Sequence, residues 1–216
     1  MKRIANYALL LLFVVGLSSC INIRTEYPQL NFYKLTAEPS IVSNDMKIDA
    51  SIHIRDAEVA DGIDTDHLFA IWDKDKMRKY YYHRWISDVS SLMTDFFRRR
   101  YSELNVFQQG VVNSSSAVTP NYFLELRLLQ MDCFSSSDNP NDSSYVEVSI
   151  LATALEYQPE IADTRSLIAK TFKTKIKRPD SEIKSIVPAY SKAFSDLTDM
   201  VFADFYTELI VNAKNK

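Results

Sequence analysis

The sequence predicts an α+β domain: a mostly antiparallel sheet with two long helices packed on one face. Three observations carry that expectation. Two long stretches place apolar residues at three- and four-residue steps, the helical repeat. Six to eight shorter stretches read as strands, several with strict apolar–polar alternation, the repeat of a half-buried strand. The last strands are joined by tight loops, which suits antiparallel neighbours.

The chain opens with Lys2 and Arg3, followed by an apolar run from Ala8 to Leu17. A positive start and a short apolar core form the pattern of a secretory signal. The run is too short for a permanent span, which needs roughly 20 apolar residues. It ends on "LSSC", which resembles the lipobox of bacterial lipoproteins: a branched apolar residue, two small residues and a cysteine. On that reading residues 1–19 are cleaved, and the Cys20 sulfur carries a diacylglyceryl group and its amine an acyl chain. The competing reading is an ordinary signal with a chance cysteine. Ile21, where some bacteria use Asp to retain lipoproteins in the inner membrane, favours an outer-membrane, periplasm-facing location. Several acyl chains on one residue give stable anchoring, at about 0.8 kcal/mol per buried CH₂.

Residues 20–31 then form an acylated N-terminus and polar tether, and 32–216 a single domain. "FYKL" (Phe32 to Leu35) reads as a strand stopped by Glu38 and Pro39. "KIDASIHIR" alternates Ile48, Ala50, Ile52 and Ile54 with polar neighbours, a second strand. "HLFAIW" and "KMRKYYYH", separated by "DKD", read as a hairpin. The first helix covers "WISDVSSLMTDFFRRRYSEL", with Trp85, Val89, Leu92, Met93, Phe96, Phe97, Tyr101 and Leu104 on one face. Ser87 or Asp88 can cap its start, and Arg98, Arg99 and Arg100 fall where positive charge complements the helix dipole.

"NVFQQGVV" and "NYFLELRLLQMDCF" read as strands. Ser135 to Ser144 holds no apolar residue and is a loop tip. "YVEVSILATALEY" alternates and pairs naturally with the strand before that loop, and "RSLIAKTFKTKIK" continues the meander. Pro179 and Pro188 flank a connector to the second helix, whose apolar face is Tyr190, Phe194, Leu197, Val201, Phe205 and Leu209.

Composition narrows the function. The 216 residues are 46% hydrophobic and 25% charged, as in a globular protein. The formal charge of −3 becomes about −5 once Lys2 and Arg3 leave with the signal, a poor match for nucleic acid. The mature chain keeps Gly62 and Gly110 of the three glycines, too few for a phosphate-cradling loop. With Cys20 acylated, Cys133 has no partner for an internal disulfide.

The candidate sites divide between sharp and plain readings. Asp61, Asp64, Asp66 and His67 in "DGIDTDH" suggest calcium, but the spacing is not that of an EF-hand and a solvated loop fits better. His53, His67 and His83 lie on separate segments and read as surface or edge-of-core residues, so no metal is expected. Cys133 lacks an identifiable base and reads as a small core residue. There is no Gly-x-Ser-x-Gly elbow, and no catalytic residue is assigned. "RKYYYHRW" interleaves aromatics with Arg78, Lys79 and Arg84. Tyr80, Tyr82 and Arg84 are the candidate interface residues, with Tyr81 and Trp85 expected in the core.

Taken in order, these elements resemble the ABC-type transport auxiliary lipoprotein family, which includes the lipoprotein of the paraquat-inducible (Pqi) lipid-transport system. The carrying residues are the lipobox cysteine closely followed by "FYKL", then "IHIRDAEVADGIDTDHLFAIW", then "YYYHRWISDVSSLMTDFF". The two strands around the polar loop, "FKTKIK" and the closing helix complete the likeness, over roughly Phe32 to Val211. The chain departs from the family in having Ser87 and Asp88 where a proline is frequent, and in the length of its polar loop. The resemblance implies a non-catalytic accessory subunit, without cofactor beyond the lipid on Cys20. It would partner an MCE-domain protein, an ABC permease and an ATPase in moving lipid or hydrophobic solutes. Exposed edge strands and the aromatic cluster also suit a homo-oligomer. An envelope-assembly lipoprotein outside any ABC system, or a periplasmic enzyme, are the alternatives.

Overall fold

The computed structural model describes residues 27–39, 47–60, 62–72, 76–135 and 144–214. The signal sequence, Cys20, most of the tether, Asp61, the "DKD" turn and residues 136–143 of the polar loop lie outside them. Five strands come first: β1 (Asn31–Tyr33), β2 (Ile52–Ile54), β3 (Glu58–Val59), β4 (His67–Trp72) and β5 (Lys76–Trp85). Helix α1 (Val89–Leu104) leads to β6 (Tyr122–Phe134), β7 (Tyr145–Gln158) and β8 (Asp163–Lys177). A 3₁₀ turn (Ile183–Ser185) then opens into α2 (Ile186–Lys214).

Among the described residues the sheet has eight strands, with the order β1-β5-β4-β6-β7-β8 and with β2 and β3 also paired to β6. It is mixed, which corrects the mostly antiparallel expectation. β4–β5, β6–β7 and β7–β8 are antiparallel; β1–β5, β2–β6, β3–β6 and β4–β6 are parallel. The cause is the length of β6. β7 pairs along one of its edges, while three short segments tile the other: β2 at Tyr122–Leu124, β3 at Arg127–Leu128 and β4 at Phe134. Parallel neighbours need a crossover, and α1, placed between β5 and β6, returns the chain. Hydrophobic periodicity carries no strand direction, so the alternation could not reveal this.

Two strand expectations shrink. The Ile48–Ile54 strand reduces to β2 and a bridge from Ile48 to Phe107; between them Asn121 Oδ1 accepts from the Ser51 backbone N–H at 2.9 Å. "NVFQQGVV" is a turn that bridges at Phe107 and Val111, with Gly110 at φ +83, where a side chain would be strained.

One face of the sheet is buried. Leu124, Leu126 and Leu128 of β6 point inward beside Ala154, Ala152 and Ile150 of β7. The register shift between Leu128 and Gln130 then changes the parity, so that Met131 and Cys133 also face in and Leu129 is exposed. α2 packs across β7 and β8, with Tyr190, Phe194, Leu197, Val201 and Phe205 buried. α1 packs on β2, β3 and α2, meeting α2 through Phe96 and Phe194 (ring centroids 5.9 Å). Pro188 sits in the first turn of α2, a position that tolerates its missing N–H.

Asp88 caps α1, accepting from the Ser91 N–H at 2.8 Å, and Asn105 ends the helix in the left-handed conformation (φ 48). The Ser91 backbone bond, helped by the Ser91 and Ser90 side chains, holds the Asp88 carboxyl below its ordinary pKa. Asp88→Ala is expected to cost about 1 kcal/mol, read as a lower urea midpoint. A depressed carboxyl stabilises fully above its unfolded pKa of about 4 and loses that contribution as pH falls through the folded value. The wild-type advantage over Asp88→Ala should therefore shrink in acid and hold at neutral pH.

The three arginines do not serve the helix dipole, which corrects that expectation. Arg98 Nε and Nη2 donate to the Ile54 carbonyl at 3.1 and 2.8 Å, tying α1 to β2. Arg99 donates to the Leu35 carbonyl at 2.9 Å. Arg100 is buried and pairs with Asp199 of α2 at 3.4 Å.

Candidate interaction surface

The aromatic stretch lies on β5, next to the edge strand β1. Trp85 is the anchor: it is buried, and its ring meets Tyr190 of α2 edge-on at 5.8 Å. Tyr80 packs half-buried against the same core. These positions are five apart, and a regular strand would put them on opposite faces. A bulge resolves this, since His67 pairs with Arg84 while the next residue, Leu68, pairs with Tyr80. Tyr81, Tyr82 and His83 consequently oppose no β4 residue. Tyr81 is 67% exposed, which corrects its expected place in the core.

β1 runs parallel to β5, with Phe32 beside Arg84 and Tyr33 beside Trp85. The Ile86 N–H extends the ladder to the Tyr33 carbonyl at 2.8 Å. Alternation therefore gathers Leu30 and Phe32 with Tyr82, Arg84 and Ile86 on the outward face. Leu30 is 52% exposed, Phe32 60%, Tyr82 48% and Ile86 66%. Arg84 is partly covered and donates to Asp66 Oδ2 at 3.1 Å. On the opposite parity Tyr33 is secured by His83, its hydroxyl 2.8 Å from Nδ1 and the rings stacked at 5.8 Å. The result is an aromatic and aliphatic patch on a pinned edge. Of the three residues singled out in the sequence, Tyr82 and Arg84 share this face and Tyr80 leaves it. Leu30, Phe32 and Ile86 were missed, because only the β1–β5 pairing brings them there.

The other candidate residues have structural partners. Asp64 Oδ1 accepts from the Ser90 N–H at 3.1 Å, and Asp66 pairs with Arg84 and His67. His53 Nδ1 lies 2.8 Å from the Val112 carbonyl. Among the described residues no group of three or more His, Cys, Asp or Glu side chains is placed to hold a metal ion. Cys133 is buried on β6, with Arg178 Nη1 3.1 Å from its Sγ. Burial pushes its thiol up to about 11, outweighing the nearby guanidinium. A folded protein should therefore resist alkylation at Cys133 at pH 8, and react once unfolded in urea, as counted by intact mass.

An open groove of about 410 Å³ runs between the end of β8 and the first turns of α2, floored by Ile176, Pro179, Pro188 and Ala189. Two of its rim lysines are engaged, Lys184 with Glu182 and Lys192 with Asp196. A more polar recess of about 310 Å³ over β6 contains the Arg55–Glu125 ion pair.

The architecture belongs to a class already seen in solved proteins. The fold matches that of protein XCC0632 from Xanthomonas campestris, of family DUF330, with a TM-score of 0.68 and 11% sequence identity. The match covers 85% of this chain and 99% of that one. A second structure, of an uncharacterized protein, matches with a TM-score of 0.56 and 10% identity over 82% of this chain and 99% of its own. No family model and no curated protein matches the chain by sequence. At these identities the likeness is one of fold.

Proposed function

We propose that the protein is a membrane-anchored periplasmic lipoprotein, a non-catalytic accessory subunit of an ABC/MCE-type system that moves lipid or hydrophobic solutes across the envelope. The observation that carries this reading is the agreement of two independent likenesses. The order of sequence elements from Phe32 to Val211 resembles the auxiliary lipoprotein family, and the fold matches a DUF330 structure, a PqiC-like fold, over 85% of the chain. The lipobox at Cys20 supports the anchor, and Ile21 supports the outer membrane as its location. The MCE-domain protein, permease and ATPase are the proposed partners. The protein works by contact, through surfaces such as the β1–β5 edge, and performs no chemistry itself.

Cys20→Ser tests the anchor. The wild-type chain should fractionate with outer membranes, and the variant should be released as soluble protein with loss of the transport phenotype. A variant that stays with the membranes and remains fully active would overturn the reading.

A further inference from the structure

We propose that the outward face of the β1–β5 edge rests on the lipid bilayer, in the headgroup layer. This rests on the anchored reading above and adds a second, non-covalent contact. The chain enters the described body at Tyr27, which is exposed, and reaches β1 within four residues. Cys20 lies seven residues before Tyr27, so the acylated sulfur is at most about 25 Å from that point of entry. The edge beside it carries Leu30, Phe32, Tyr82 and Ile86, all exposed and all apolar or aromatic.

The patch therefore coincides with the part of the body held nearest the membrane. A protein partner could dock anywhere on the domain; a bilayer can meet only the surface its tether presents. Tyr82 suits this site, since an apolar ring with a polar tip is favoured at the lipid–water boundary, and Leu30, Phe32 and Ile86 add apolar surface beside it. The depth is limited by β1 itself. It is an edge strand, and its unpaired backbone groups need water or headgroup partners, so the contact stays shallow and out of the hydrocarbon centre.

The test uses the full acylated protein in phosphatidylethanolamine–phosphatidylglycerol vesicles whose acyl chains carry bromine at shallow or deep positions. Phe32→Trp and Leu30→Trp place a fluorophore in the patch; Ile161→Trp places one on the exposed β7–β8 turn. Leu30 precedes the β1 ladder, so that variant keeps the strand intact. Emission from the two patch variants should fall with shallow bromine and fall less with deep bromine, relative to the unsubstituted protein, while Ile161→Trp stays unchanged.

Intact mass reads the lipid on Cys20 in the same samples. Acylated protein with no quenching at either patch position would overturn the bilayer contact and leave the anchor standing. Cross-links between patch positions of two copies, without quenching, would assign the face to a second copy and overturn it equally. An unmodified Cys20 would sink the anchored reading, and this inference with it.

Discussion

Arg178→Ala should lower the stability of the domain by about 3–5 kcal/mol, more than any surface change. The side chain is 1% exposed, and its bonding partners among the described residues are all uncharged. Nε donates to Ser185 Oγ at 3.0 Å and Nη2 to the Glu182 carbonyl at 2.7 Å. Nη1 reaches Ser135 Oγ at 2.8 Å, Cys133 Sγ at 3.1 Å and the Phe134 carbonyl at 3.2 Å. Its backbone N–H donates to the Ser144 carbonyl. The guanidinium thus joins the end of β6 to the 3₁₀ turn that launches α2, and the backbone of the same residue holds the approach to β7. Truncation opens a cavity and strands several of these acceptors at once. Arg178→Lys should rescue little, because three mobile donors on a point charge cannot reproduce a planar five-donor fork. Thermal unfolding is the readout, with a fall of roughly 10 °C for Arg178→Ala. A shift near zero would mean that the connector is held by something else.

The second large effect is expected at the α1–α2 contact. Asp199→Ala leaves Arg100 buried without its carboxylate and should cost about 3–5 kcal/mol. Both side chains are only 6% exposed, and Tyr101 lies in the same dry environment. Burial, with the Asp199 charge beside it, raises the Tyr101 hydroxyl far above its usual pKa. The sign of the pair's net contribution is set by desolvation, however. Replacing both partners with apolar residues, Arg100→Met with Asp199→Leu, should recover most of the loss. A double-mutant cycle measures this directly: strong coupling is expected, with the double variant more stable than Asp199→Ala. A double variant as unstable as the single one would show that the pair supports the helix contact in its own right.

Much of this architecture was legible in the residues. The 3.6-residue repeat located both helices, though it carried the first back to Trp85, which ends β5 instead, and the buried faces of α2 at Tyr190, Phe194, Leu197, Val201 and Phe205 are those its spacing marked. The alternation of Val146, Val148, Ile150 and Ala152 marked the inward face of β7. Strand direction was not legible, since β2, β3 and β4 meet β6 in parallel through long-range pairings that no local alternation encodes. Bulges were not legible either. Leu128-Leu129 offers two apolar neighbours for one inward position, and only the register shift after Leu128 decides between them.

The same limit applied to the candidate surface. In "YYYHRW", strict alternation sends Tyr81 inward with Trp85, whereas the bulge opposite His67 and Leu68 sends Tyr80 inward. Leu30 and Phe32 lie some fifty positions from Tyr82 and Arg84, so no local pattern joins them. The arginines of α1 are a further case. Their sequence position matched the helix dipole, but their length lets them reach carbonyls and a carboxylate on neighbouring elements. In each instance the local pattern was right about residue type and silent about long-range pairing.

We propose that this domain is held at a membrane and acts by binding the substrate-capturing protein of a transport system. The most direct measurement is cross-linking in intact cells, followed by isolation of the acylated chain from solubilised membranes and identification of what is bound. An MCE-domain protein is expected joined to this chain, and lost from the isolate when Cys20→Ser releases the chain. Recovery of the acylated chain alone, from membranes in which an intact MCE-domain protein is present, would contradict it.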